Sequence, residues 1–340
     1  MEKIRILELF GGIGACSKAL ERLGIDYEIA DYVEIDKYAV KSFNAIHNTN
    51  FEPQDVTQWD KDIKVDLIMH GSPCQDFSLA GKQAGGDEGS GTRSSLMYET
   101  IRIVEKLKPK YVIWENVKNL LSKKHRHNFD AYLEKMEQLG YTNYYQVLNA
   151  KDYGIPQNRE RVFTVSILGN ENYEFPKCNN KVDFTSFLEK NVDNKYYFNI
   201  KELFNHINFK RNNYYQDSLK ILNNELDKNK TYALDLRYDE GFRIRKNDTL
   251  PTLTTKNYTS RTSTPLIYNN GKLRGLTPLE QLKFMGFSEE DYNKMSKINE
   301  ENQIYKQAGN SIVVNVLEVI LKQLFKERQI TRVGKFDDLD

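Results

Sequence analysis

The sequence predicts an α/β fold: a mostly parallel sheet with helices on both faces, accompanied by a smaller, irregular domain. Two observations predict it. Over the first 168 residues, short apolar runs alternate with stretches of helical spacing, the signature of strand–helix–strand units in a parallel sheet. From about Gly169 to Ile267 that periodicity dissolves into a stretch rich in Asn, Lys and Tyr. Length agrees, since 340 residues correspond to about two domains at roughly 150 residues each.

Taken in order, Ile4–Phe10 is a short apolar run ending at Gly11-Gly12, and Ala15–Leu23 has helical spacing and stops at Gly24. Tyr27–Val33 is a second strand, followed by a helix from Lys37 to about His47. Val65–Met69 is a third apolar run, cut by Gly71 and Pro73. Leu96–Leu107 reads as a helix, Tyr111–Trp114 as a strand, Phe129–Leu139 as a helix stopped by Gly140, and Arg161–Leu168 as a last strand. Regularity returns at Thr277-Pro278-Leu279-Glu280, which has the form of a capping box with proline at the first helical position. Gly286 could end that helix. From Ser311 to Phe325, Val313, Val316, Leu317, Ile320, Leu321 and Leu324 mark one face of an amphipathic helix. The tail after Arg328 is polar, as frayed termini are.

Composition narrows the function classes without choosing one. Net charge is +1, so any polyanion site must be a local patch. The cysteines Cys16, Cys74 and Cys178 are odd in number and irregularly spaced, which offers neither a disulfide framework nor a metal-ligand pattern and fits a reducing cytoplasm. The N-terminus is too acidic and its apolar run too short for a signal peptide. No stretch approaches the ~20 apolar residues of a membrane span.

The turn Phe10-Gly11-Gly12-Ile13-Gly14 joins a strand to a helix. Glycines there let backbone approach a ligand, and a helix N-terminus offers free N–H groups; tight packing alone would also explain them. Glu34 ends the second strand, where a carboxylate accepts from ribose hydroxyls. Asp55, after the next segment, could accept from an adenine amino group. The glycines are closer together than in a pyrophosphate-binding G-x-G-x-x-G, which points to an adenosine cofactor without phosphates.

Gly71-Ser72-Pro73-Cys74-Gln75-Asp76-Phe77-Ser78 follows the third apolar run, at the carboxyl edge where open α/β sheets bind ligands. A lone cysteine is more often a small buried hydrophobe than a nucleophile, but this one is flanked by polar residues. Glu115-Asn116-Val117 ends the next strand, and Gln157-Asn158-Arg159-Glu160-Arg161 precedes the last. Arg159 and Arg161, two apart, would share one face of an extended segment; a solvated charge run is the plainer reading. Together these place a thiol, a carboxylate and guanidiniums at neighbouring strand ends.

The ordered set resembles the C5-cytosine DNA methyltransferase family, over about residues 4–168 and 245–325. Phe10–Gly14 looks like the first cofactor motif, Glu34 the ribose-binding acid, Pro73-Cys74-Gln75 the nucleophile loop, and Glu115-Asn116-Val117 the second catalytic motif. Gln157–Arg161 is similar to the Q-x-R-x-R signature. Arg274–Glu280, running on to Met285-Gly286-Phe287, resembles the scaffold of the recognition domain, and Gly309-Asn310-Ser311 the last motif.

The resemblance implies a Rossmann-like domain that uses S-adenosyl-L-methionine, spanning 1–168 and 288–340, with a target-recognition domain at 169–287. It implies Cys74 as nucleophile, Glu115 as proton donor to the base, and Arg159 and Arg161 as orienting groups. It implies cofactor contacts at Phe10, Gly12, Ile13, Glu34, Ile35, Asp55, Pro73, Leu96 and Asn310. Gln75 would meet double-stranded DNA, and Ser78, Gly81, Lys82 and Gln83 would belong to a glycine-rich lid over it, 78–93. Interleaved Tyr196, Tyr197, Lys210, Arg211, Tyr214, Tyr215, Arg237, Arg243, Arg245 and Lys246 suit phosphate contact and stacking. Thr252-Leu253-Thr254 is similar to a family feature near the DNA. A monomer without a metal is expected, with a companion restriction endonuclease possible. A tRNA-methylating relative is the alternative; such relatives usually carry Cys-Phe-Thr near the recognition region, and this sequence has none.

Overall fold

The structure is a computed structural model that describes residues 2–73, 96–198, 212–237, 239–245, 249–255 and 263–326. It divides into two compact units, one of residues 1–149, 160–178 and 312–340, the other of 150–159 and 179–311. The expected boundaries at 168/169 and 287/288 differ from these: 150–159 and 288–311 pack with the second unit.

In the first unit, strands β1 (Ile4–Leu9), β2 (Tyr27–Val33), β3 (Leu67–His70), β4 (Tyr111–Val117) and β5 (Tyr141–Asn149) are joined by β7 (Glu160–Leu168). They form a six-stranded sheet in the order β2-β1-β3-β4-β7-β5. β1 to β4 pair in parallel, and β7 runs antiparallel to both neighbours. The helices are α1 (Ala15–Arg22), α2 (Lys37–His47), α3 (Met97–Leu107), α4 (Arg126–Gln138) and a C-terminal helix, Val314–Leu324.

Period-two alternation along β1 sorts its contacts. Leu7 and Leu9 enter a core with Val112, Trp114, Val104, Phe129 and Tyr132, so one face is covered by α3 and α4. Glu8 points the other way, to Ser17 on α1. α1 is tied in turn to the C-terminal helix by Arg22 Nε to Glu318 Oε1 at 2.8 Å. That helix buries Val314, Val316, Leu317, Ile320 and Leu321, while Leu324 is only half-buried.

The sequence reading missed β5, a nine-residue strand dominated by Tyr, Thr, Asn and Gln. It lies at the sheet edge, where one side meets water and no apolar run is required.

The second unit is more regular than expected. β6 (Gln157–Asn158) pairs with β10 (Leu250–Pro251). β8 (Tyr232–Arg237), β9 (Gly241–Ile244), β11 (Ser263–Asn269) and β12 (Lys272–Gly275) make an antiparallel sheet in the order β12-β11-β8-β9. Its face packs Leu234, Leu236, Phe242, Leu266 and Leu273 against Leu222 and Leu226. The expected capping box forms on helix Pro278–Lys283, with Thr277 and Glu280 bonding reciprocally. Glu280 also takes both ends of the Arg274 guanidinium, at 2.7 and 2.8 Å, in a buried pair. Gly286 follows at φ 88°.

Candidate active site

The parallel strands deliver their loops to one edge of the sheet. β1 ends in the turn Phe10–Gly14, where Phe10, Gly12 and Gly14 have φ of 53, 56 and 79°. The three glycines serve different ends. A Cβ on Gly11 would lie 2.7 Å from the Tyr32 ring, and one on Gly14 2.3 Å from His47 Nε2. Around Gly12 nothing lies within 4 Å. Packing therefore explains Gly11 and Gly14, while the side of Gly12 that a Cβ would occupy is open.

Gly12 N–H donates to Glu34 Oε2 at 3.1 Å, and its carbonyl accepts from Tyr32 Oη at 2.6 Å. Glu34 also accepts from Asp36 N–H at 2.9 Å. Burial raises the Glu34 carboxyl above its ordinary value, against these bonds that lower it. Gln54 N–H donates to the Glu34 carbonyl at 2.9 Å, which brings the Asp55 segment alongside. Asp55 is exposed and caps a short turn by accepting from Thr57 N–H at 2.9 Å. Ile35 is 69% exposed beside Glu34, an apolar surface suited to a flat ring.

Four of the expected cofactor contacts sit as follows. The Ile13 side chain is buried in the core, so only its backbone remains, with its carbonyl at 3.2 Å from His47 Nε2. Leu96 and Phe10 are half-buried against the α3–α4 core. Asn310 ends helix Glu301–Asn310 in the second unit and is exposed.

Two of the free N–H groups expected at the α1 N-terminus, those of Cys16 and Ser17, are already engaged. Gly14, the N-cap, offers no side-chain cap. Instead Glu8, on β1, accepts from Ser17 N–H at 3.0 Å and from the Ser17 hydroxyl, with a further backbone bond from Cys16. Burial pushes the Glu8 carboxyl up to about 7, against these bonds. An acid in this position fills the place where a phosphate would sit. The residues therefore fit an adenosine-type ligand with no phosphates. The sequence signal for Glu8 is an acid among the apolar residues of Ile4–Leu9, where Arg5 is the other charge.

β3 leads to Gly71-Ser72-Pro73. Trp114 Nε1 donates to Ser72 Oγ at 3.0 Å, and Asn116 Nδ2 to the Ser72 carbonyl at 3.4 Å. These two side chains of β4 clamp Ser72, two residues before Cys74. Between them in sequence, Glu115 reaches the same edge, with Oε2 lying 3.9 Å from where a Gly71 Cβ would be. Beneath the clamp, His70 stacks on Trp114 at 5.6 Å and bonds Tyr132 Oη at 3.1 Å. Burial holds His70 down at about 3, hence neutral. Ser72, Trp114 and His70 were not singled out by the sequence reading. Cys74, Gln75, Ser78, Gly81, Lys82 and Gln83 lie outside the described residues.

Glu115 Oε1 and Arg161 Nε meet at 3.1 Å. Register explains the meeting: Val117 pairs with Arg161 and Glu115 with Phe163, so Glu115 and Arg161 are diagonal neighbours on one face. Arg159 goes elsewhere. It is buried in the second unit, where Nη1 donates to the Leu253 carbonyl at 3.0 Å and Nη2 to those of Gly309 and Ser311 at 3.1 and 2.9 Å. The two arginines, expected to share one face, make different contacts: Arg161 lies against a carboxylate, and Arg159 donates to backbone carbonyls.

Three separately recognised motifs converge around Arg159. Gln157 Nε2 donates to the Phe284 carbonyl, and its Oε1 accepts from Leu253 N–H at 3.0 Å. Thr252 Oγ1 donates to the Asn158 carbonyl at 2.7 Å. A Cβ on Gly309 would fall 2.3 Å from the Thr254 carbonyl, so only glycine admits this backbone crossing. Of the expected basic and aromatic residues of this unit, Tyr196 is buried. Arg237, Arg243 and Arg245 are ion-paired with Asp235, Asp239 and Glu240. Lys210, Arg211 and Lys246 lie outside the described residues.

Among the described residues no group of His, Cys, Asp and Glu is placed to hold a metal ion, and no helix is long and apolar enough to cross a membrane. A family model of the C-5 cytosine-specific DNA methylase matches residues 4–326. The type II methyltransferase M2.ScrFI of Lactococcus lactis subsp. cremoris is 34% identical, over 96% of this chain and 100% of that protein. The orphan methyltransferase M.SPRI of Bacillus phage SPR is 30% identical, over 95% of this chain and 98% of that protein. The solved structure of the methyltransferase EhMeth of Entamoeba histolytica aligns at a TM-score of 0.71, covering 96% of this chain and 99% of that one; at 18% identity this likeness speaks to fold alone. With the family model spanning nearly its whole length, this chain belongs to the C-5 cytosine-specific DNA methylases and is a DNA (cytosine-5-)-methyltransferase.

Proposed function

We propose that this chain methylates carbon 5 of a cytosine in a specific duplex DNA sequence, with S-adenosyl-L-methionine as donor and Cys74 as covalent nucleophile. What supports the reading best is the Glu115–Arg161 pair beside the clamped Ser72, two residues before Cys74. Glu34, the open Gly12 and the exposed Ile35 suit an adenosine moiety, and Glu8 disfavours a phosphate.

Cytosine C5 is a poor nucleophile. Addition of the Cys74 thiolate at C6 makes the ring enamine-like, so that C5 can attack. The thiolate is the active form, favoured by a positive neighbourhood. When bound, S-adenosyl-L-methionine supplies an electrophilic methyl group. Glu115 donates a proton to cytosine N3 and accepts from the exocyclic amine, and Arg161 fixes that carboxyl in place. Loss of the C5 proton then expels Cys74 and restores the ring. The target must leave the stack to reach these groups. Arg159 acts through the backbone it binds, as a positioning residue. The second unit supplies sequence recognition, and its basic side chains enter the reading with their carboxylate partners. Protection of DNA against a companion restriction endonuclease is the biological role that accords with the type II relatives.

The test supplies tritiated cofactor with duplex DNA or with tRNA, followed by bisulfite sequencing. Label in DNA at C5 is expected. Label in tRNA alone overturns the reading. DNA carrying 5-fluorocytosine should trap a covalent complex with wild type and not with Cys74→Ser.

A further inference from the structure

Beyond Glu115, β4 feeds a stretch that the reaction does not use. Residues 118–129, KNLLSKKHRHNF, hold four Lys or Arg, two His and no acid, in a chain whose net charge is +1. The stretch leaves the active edge at Val117 and reaches α4 through tight turns. The Ser122 carbonyl accepts from His125 N–H at 3.0 Å and from Arg126 N–H at 2.8 Å. Lys123 and Lys124 therefore stand at the corner of a turn, and both are exposed, as are Lys118 and His127. Lys118 is paired with Glu160 and Arg126 with Asp130. Among the described residues no carboxylate pairs with Lys123 or Lys124. Arg126 also spans the rings of Phe129 and Tyr145 at 5.5 and 5.6 Å, and Tyr145 is 41% exposed.

Two physical facts set this cluster apart from an ordinary solvated face. The cations sit before and in the first turn of α4, which contains no acid. That is the wrong end of the helix dipole for positive charge, and it costs stability. Such a local conflict is the kind found at functional sites. The positive field is also felt nearby: His125 is held below its ordinary value by its own burial first, then by Lys124 and His127.

We propose that the Ser122–His125 turn, through Lys123 and Lys124 with His127 beside them, docks the sugar-phosphate backbone of duplex DNA flanking the target cytosine. The proposal rests on the DNA-methylating function above. It assigns to the catalytic unit a sequence-independent contact, which adds affinity and no base preference.

The test is the double variant Lys123→Ala/Lys124→Ala, compared with Lys123→Arg/Lys124→Arg. Binding to a methylatable duplex of about 30 base pairs is measured across salt, alongside steady-state methylation. Each lost phosphate contact removes roughly 0.9 from the slope of log affinity against log salt. The Ala variant should lose about 1.8 in slope, and its Kd and KM for DNA at about 0.1 M salt should rise roughly tenfold or more. Its kcat at saturating DNA and its cofactor affinity should stay at wild-type values, its Tm should be no lower than that of wild type because charge at the wrong end of the α4 dipole is removed, and the Arg variant should keep the wild-type slope. An unchanged slope, or a loss of kcat or Tm without a change in slope, overturns the proposal. Wild type that methylates no DNA would instead overturn the function itself, so the two failures are distinguishable.

Discussion

Glu115 and Arg161 are joined across two antiparallel strands, Nε to Oε1 at 3.1 Å, with side chains 12% and 17% exposed. The pair is diagonal in the β4–β7 ladder, so the strand register sets the two side chains on one face. Arg161→Ala should lower kcat by about 10²–10⁴, the span of a positioned proton-transfer group, and leave cofactor affinity near wild type. Arg161→Lys should recover only part of the loss, because an ammonium lacks the planar fork. Single-turnover transfer of tritiated methyl checks this. A wild-type rate in Arg161→Ala would remove the residue from the reaction.

The glycine turn separates stability from binding. Gly12→Ala meets open space and bears only the strain of a left-handed residue, about 1–2 kcal/mol. If the proposed adenosine site is right, it should nonetheless lose cofactor affinity strongly, because the added methyl would occupy the open side of the turn. Gly11→Ala drives a methyl into the Tyr32 ring and should lower Tm more. Calorimetric titration beside thermal melting tests the split. If Gly12→Ala bound cofactor as wild type does, the turn would be a packing device and nothing more.

Most of the sheet was legible because buried parallel strands are continuous apolar runs, as Ile4–Leu9 and Leu67–His70 largely are. β5 was not, because an edge strand keeps polar residues on its wet side. β8 and β11 escaped because their register is fixed by each other across more than twenty-five residues, and no local period reports that. The site divides likewise. Glu34, Glu115 and Arg161 sit at strand ends, where sequence order gives position. Arg159 does not: its target carbonyls lie 94 to 152 residues away, and no local spacing reports them. Glu8 was visible only as a charge out of pattern.

Glu8 makes stability depend on pH in a defined direction. Its folded value is about 7 against an ordinary 4.5. A raised carboxyl favours the folded state fully below about 4.5, and that contribution is lost as pH rises through about 7. Glu8→Gln stays neutral throughout. The Tm of Glu8→Gln relative to wild type should therefore climb between about pH 5 and pH 8 as wild type ionises. A flat difference across that range would mean that Glu8 does not titrate there.

Arg159 should behave as a buried staple. Arg159→Met leaves the carbonyls of Leu253, Gly309 and Ser311 without their donor, at about 1–3 kcal/mol for each group left unsatisfied. Arg159→Lys should not rescue it, because one ammonium cannot serve three carbonyls spread along a fork's two arms. Gly309→Ala attacks the same crossing from the other side, with a methyl 2.3 Å from the Thr254 carbonyl. Both Arg159→Met and Gly309→Ala should lose hydrogen-exchange protection at Leu253 N–H, whose acceptor is Gln157. Amides of β1 and β4 should keep theirs, and cofactor affinity should persist while methylation falls. An Arg159→Lys enzyme with wild-type turnover and protection at Leu253 would show that the charge alone matters. A matching loss of exchange protection in β1 and β4 would show that the two units do not unfold separately.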